Sequence, residues 1–145
     1  MGSLLTCLLL CQLTGQGPQR LCVQDIVVPG YPRLARIAQL EGSVSLELRI
    51  GEDGTVLSAE GSGAHPLLVQ EAEKNIREWT FAMFPQSTEF PISHRIVFTY
   101  RLQGKPEYRE PIPRVVLHLP DRVEIISRPS EVQPQGIPRV EGPHL

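Results

Sequence analysis

Side chains able to do chemistry are few and scattered in this 145-residue chain. The four histidines, His65, His94, His118 and His144, fall at intervals that fit no zinc-ligand pattern. Glu52 and Asp53 are adjacent carboxylates, but a turn open to water offers no environment that would set one up as acid and the other as base. Ser58 and Ser62 have no base at a patterned distance, and no glycine-rich phosphate loop follows a strand. These residue types in this arrangement point away from catalysis, and neither a cofactor nor a metal is expected. A net charge of −2 with no basic patch argues neither for a nucleic-acid surface nor for an acidic substrate, and neither nucleic acid nor a small-molecule substrate is expected.

The elements that would position these side chains centre on Gly42 to Trp79. Val44, Leu46, Leu48 and Ile50 alternate with Ser43, Ser45, Glu47 and Arg49, the period of a half-buried strand. Gly51-Glu52-Asp53-Gly54 supplies a tight turn, so Thr55 to Glu60 runs back antiparallel. With only Val56, Leu57 and Ala59 to bury, that second strand suits an edge. Pro66 opens a helix in which Leu68, Ala72, Ile76 and Trp79 share a stripe. Glu73 and Arg77 lie on its polar side as an i,i+4 pair. Upstream, Tyr31-Pro32 opens a shorter helix with Leu34, Ile37 and Ala38 inward and Arg33, Arg36 and Gln39 outward. Downstream, Phe81, Phe84 and Pro85 wrap back toward the sheet.

The third strand is the most strongly patterned. Ile92, His94, Ile96, Phe98, Tyr100 and Leu102 fall on one face; Ser93, Arg95, Val97, Thr99 and Arg101 fall on the other. The expected fold class is α+β: a three-stranded antiparallel sheet in the order 2-1-3, with two helices on one face. Val115, Leu117 and Leu119, then Val123 and Ile125, add a candidate C-terminal hairpin turning at Pro120-Asp121.

At the N-terminus, Leu4 to Leu13 is apolar but as a helix extends only about 15 Å, against about 30 Å of hydrocarbon. It matches the core of a secretory signal. The expected divisions are a signal over 1–17, a leader arm over 18–30, a folded domain over 31–102, an extension with the hairpin over 103–127, and a disordered Pro-rich tail over 128–145. Removal of the signal takes Cys7 and Cys11 with it and leaves Cys22 alone, as a small hydrophobe or an intermolecular thiol.

Tyr31-Pro32, Glu41-Gly42, Asp53-Gly54-Thr55-Val56, His65-Pro66-Leu67-Leu68, and Trp79 followed by Phe81 and Pro85 occur in an ordered set that resembles the C-terminal domain of TonB-family energy transducers. The resemblance covers roughly Tyr31 to Leu102. It implies the same two-helix, three-stranded architecture, a place in the periplasm or cell envelope, and a part in transmembrane transport. It also implies that an extended segment of an outer-membrane transporter adds along the edge of the last strand, here Ile92 to Leu102, with Arg95, Ile96, Val97, Phe98, Thr99, Tyr100, Arg101 and Leu102 forming that edge. Arg95 and Arg101 lie on its open face, where two readings stand: they merely keep the sheet face soluble, the favoured one, or they attract an acidic partner segment. Two features depart from the family pattern: the short apolar run stands where a membrane anchor and long spacer would be, and the hairpin at 114–127 is added. Folded onto the last strand, that hairpin would occupy the edge from within, leaving a structural module whose binding edge is sealed.

Overall fold

A computed structural model of the chain describes residues 21–83 and 89–132. The signal reading, the wrap of Phe84 and Pro85, His144 and the tail from residue 133 onward lie outside the described residues. In chain order the elements are β1 (Leu21–Asp25), α1 (Arg33–Ile37), β2 (Gly42–Ile50), β3 (Val56–Gly63), α2 (Pro66–Ile76), β4 (Thr80–Met83), β5 (Ile92–Leu102), β6 (Arg114–His118) and β7 (Arg122–Ser127). No described helix is long and apolar enough to cross a membrane.

β2 is the organising strand because its inward face is wholly apolar: Val44, Leu46, Leu48 and Ile50 are all shut off from solvent. It pairs antiparallel with β3 on one side and with β5 on the other, Val44 opposite Phe98 and Leu46 opposite Ile96. Leu68, Ala72 and Ile76 of α2 close over this face together with Tyr31 and Ala35. Each of the large side chains here withdraws apolar area worth about 1.5–3 kcal/mol. The β2–β3 turn depends on Gly54, whose φ of 83° is left-handed. A Cβ there would stand 1.9 Å from the Phe81 carbonyl oxygen, so only glycine lets the turn lie against β4. The Phe81 amide in turn donates to the Gly54 carbonyl at 2.8 Å.

The three antiparallel strands expected, in the order β3-β2-β5, are part of a larger sheet. The sheet has five strands in the order β3-β2-β5-β7-β6, and a separate two-stranded sheet pairs β1 with β4. The cause lies in Val123 and Ile125. Two apolar residues at strand period need a buried face, and they find it beside Phe98 and Tyr100, their register partners on β5. β7 runs parallel to β5, and β6 pairs antiparallel outside β7. The chain leaves β5, passes through the connection at 103–113, and inserts its last strand between β5 and β6.

The first helix is corrected. It is a five-residue turn whose buried members are Ala35 and Arg36, while Leu34 is 65 % exposed. Tyr31 takes the inward place instead, its ring meeting Tyr100 edge-on at 5.3 Å and its hydroxyl donating to the Leu40 carbonyl. Gln39, at φ 52°, stops the helix. Cys22 is buried and disulfide-bonded, which corrects the expectation that it stands alone. Past Arg128 the chain stays in contact with the domain: the Ser130 amide donates to the Arg36 carbonyl, and Ser130 bridges to Glu107.

Candidate functional site

Backbone parity decides which groups each strand offers outward. The Val97 amide donates to the Asp121 carbonyl at 2.9 Å and the Gln103 amide to the Ser127 carbonyl at 2.8 Å. In a parallel ladder those bonds mean that Val97, Thr99 and Arg101 turn their main-chain groups toward β7, while Phe98, Tyr100 and Leu102 turn theirs toward β2. The outer edge of β5 is thus carried by β7 from Val97 to Leu102. Ile92, Arg95 and Ile96 lie beyond the end of β7. At that end His94 is half-buried, its Nε2 3.0 Å from the Pro120 carbonyl oxygen and 3.6 Å from Asp121 Oδ1. It sits under the hairpin turn and not in the core.

The two arginines differ. Arg95 is paired with Glu47 across the outer face of the sheet, so its charge is locally answered. Arg101 is exposed on the same face. Ser43 and Thr99 share a hydroxyl hydrogen bond of 3.1 Å between them.

The opposite edge of the sheet, β3, is closed by side chains. Ala59 and Gly61 share the outward parity, and α2 supplies a partner to each: Glu73 Oε1 accepts from the Gly61 amide at 2.7 Å, and Arg77 Nη2 donates to the Ala59 carbonyl at 3.3 Å. The i,i+4 pair therefore caps a strand edge. Its spacing is visible in the sequence; its target is not, because that depends on how α2 lies on β3.

Behind the sheet, Trp79 is 1 % exposed and its Nε1 donates to Asn75 Oδ1 at 2.9 Å and to the Val27 carbonyl at 3.1 Å. Asn75 Nδ2 donates to the same carbonyl at 3.0 Å, tying the leader segment to α2. The Trp79 and Phe98 rings lie 5.8 Å apart. Burial pushes both the Tyr31 and Tyr100 hydroxyls well above the ordinary tyrosine range, with help from Glu41 on Tyr31 and from Glu71 on Tyr100. His65 caps α2, its Nδ1 accepting from the Leu67 amide at 3.2 Å. His118 lies on β6. The described histidines are thus dispersed over the fold, and among the described residues no group of three or more His, Cys, Asp or Glu is placed to hold a metal.

An open cleft of about 440 Å³ lies beside α1, lined by Tyr31, Pro32, Arg33, Glu71, Glu110 and Ile112 among others. Glu110 also accepts from Arg36 Nη2 at 3.3 Å, and Arg36 is only 1 % exposed. That contact ties the connection at 103–113 to α1.

A single central hairpin, flanked by a third long strand and roofed by two helices, defines a small α+β domain. Residues 27–102, just over half of the chain, match the family model described as the Gram-negative bacterial TonB protein C-terminal. The chain belongs to that family and is a TonB-type envelope module. Searches of curated proteins and of solved structures gave no match. The matched region ends with β5, so the β6–β7 hairpin lies wholly beyond it.

Proposed function

We propose that this module is not an enzyme and that it recruits a protein partner in the periplasm by strand addition along the outer edge of β5. The partner is an extended segment of an outer-membrane transporter, and the role is in TonB-type transmembrane transport. One observation carries the reading: an extended strand, β7, already lies in register on Val97 to Leu102. Once β7 is off, that edge has the main-chain groups and the flanking side chains that an added strand needs. The chain's own hairpin is the resident competitor. An incoming segment first meets the stretch from Ile92 to Ile96 beyond the end of β7, where Arg95 is exposed, and then displaces β7 along Val97, Phe98, Thr99, Tyr100, Arg101 and Leu102.

A second reading has its own support. Val123 and Ile125 are fully buried in the common core, which favours a hairpin that seals the edge for good and a module that acts through other surfaces. Titration with transporter-derived peptides separates the two. Binding to the intact chain that weakens on substitution within Ile96 to Leu102 supports displacement. Binding that emerges only when the chain is cut after Lys105 supports the permanent seal.

A further inference from the structure

Among the described residues, β6 is the edge of the five-stranded sheet that nothing covers. β7 turns Arg122, Glu124 and Ile126 toward β6, so Arg114, Val116 and His118 bond inward and the N–H and C=O groups of Val115 and Leu117 face out. The other edge of that sheet, β3, is answered by Glu73 and Arg77, and β5 is covered by β7. A bare edge of this kind is a template for another strand.

The flanks of this edge have a definite chemistry. On the outer face of the sheet Arg114, His118, Arg122 and Arg101 are exposed around one half-buried carboxylate, Glu124. Among the described residues none of the three arginines has a carboxylate within ion-pair distance. On the inner face Leu117 is 39 % exposed beside the buried Val123.

We infer that the outer edge of β6 docks an extended protein segment with alternating acidic and apolar side chains, the acidic ones beside Arg114 and His118 and the apolar ones over Val115 and Leu117, while β7 stays on β5. A second copy of the chain fits poorly. Two antiparallel β6 strands centred on Val116 would set Arg114 against His118 at both ends of the seam, with no carboxylate between them. This site is distinct from the β5 edge and excludes displacement there, since it needs the hairpin closed.

The test uses the intact chain and two fluorescent synthetic peptides, one alternating glutamate with valine and one alternating lysine with valine. Leu117→Pro removes an outward N–H without touching the ladder to β7, and Leu117→Thr keeps it. The glutamate peptide binds the native chain and the Leu117→Thr variant, and Leu117→Pro weakens it about tenfold or more. The lysine peptide does not bind, and the Val97 and Gln103 amides keep their exchange protection in the complex. Should Leu117→Pro fail to fold, Arg114→Glu with Arg122→Glu carries the same test: it reverses the preference between the two peptides. Four results would overturn the inference: no binding of the glutamate peptide, equal binding of both peptides, loss of Val97 protection on binding, or a dimer in sedimentation that Leu117→Pro abolishes.

Discussion

Replacing Ile125 with alanine tests whether the hairpin can leave β5 while the rest of the domain stays folded. Ile125 is fully buried, opposite Tyr100, in the strand that covers the β5 edge. Large-to-small changes at such sites cost about 2–5 kcal/mol. If that cost falls on hairpin opening, the open population rises roughly 30-fold to several thousand-fold, at about 1.4 kcal/mol per factor of ten. Native-state hydrogen exchange reads this residue by residue, because neighbouring amides on β5 point in opposite directions. The Val97 and Gln103 amides are bonded to β7, at 2.9 and 2.8 Å, and are expected to exchange faster by that factor. Phe98 and Tyr100 amides face β2 and are expected to change much less. Equal acceleration of both sets would refute separable opening: the hairpin would then be one cooperative unit with the core, and a partner could reach β5 only by unfolding the domain.

The two inward tyrosines are expected to respond oppositely to loss of their hydroxyls. Tyr31→Phe loses a bond to the Leu40 carbonyl and costs about 1 kcal/mol, whereas Tyr100, whose buried hydroxyl finds no partner among the described residues, becomes Phe at no cost or a slight gain, both read by urea denaturation. Asp53 accepts hydrogen bonds from the Thr55 hydroxyl and amide, which hold its carboxyl below the usual range. A lowered folded value contributes stability above the unfolded pKa and loses it as pH falls through the folded one, so Asp53→Ala should flatten the acid side of the stability profile; an unchanged slope would count against the turn bonds. Removing the edge cap with Glu73→Ala is expected to cost about 1–3 kcal/mol and to increase self-association, measured by thermal melting and light scattering.

Where local pattern decides structure, the sequence was readable. The alternation from Ser43 to Ile50, the Asp53-Gly54 turn and the stripe of Leu68, Ala72 and Ile76 each mark an element, and β2 lies between β3 and β5 in the sheet. Failures came where the deciding contact is distant in sequence. Leu34 looks like a core residue on a helical wheel, yet α1 is too short to impose a wheel and Tyr31 fills the space against Tyr100. β1 and β4 are short, and they pair with each other across a long stretch of intervening chain. Val123 and Ile125 show that a strand exists, but period two cannot say which edge it joins or in which direction. The parallel seat of β7 on β5 follows from the length of the connection and the apolar face beside Tyr100.

Strand exchange at β5 can be observed in isotope-labelled protein saturated with an extended transporter-derived peptide. Displacement predicts that close contacts between Phe98 and Val123 and between Tyr100 and Ile125 vanish, and that cross-strand contacts from Val97, Thr99 and Arg101 to the peptide replace them. Persistence of every β5–β7 contact in the saturated complex would contradict it.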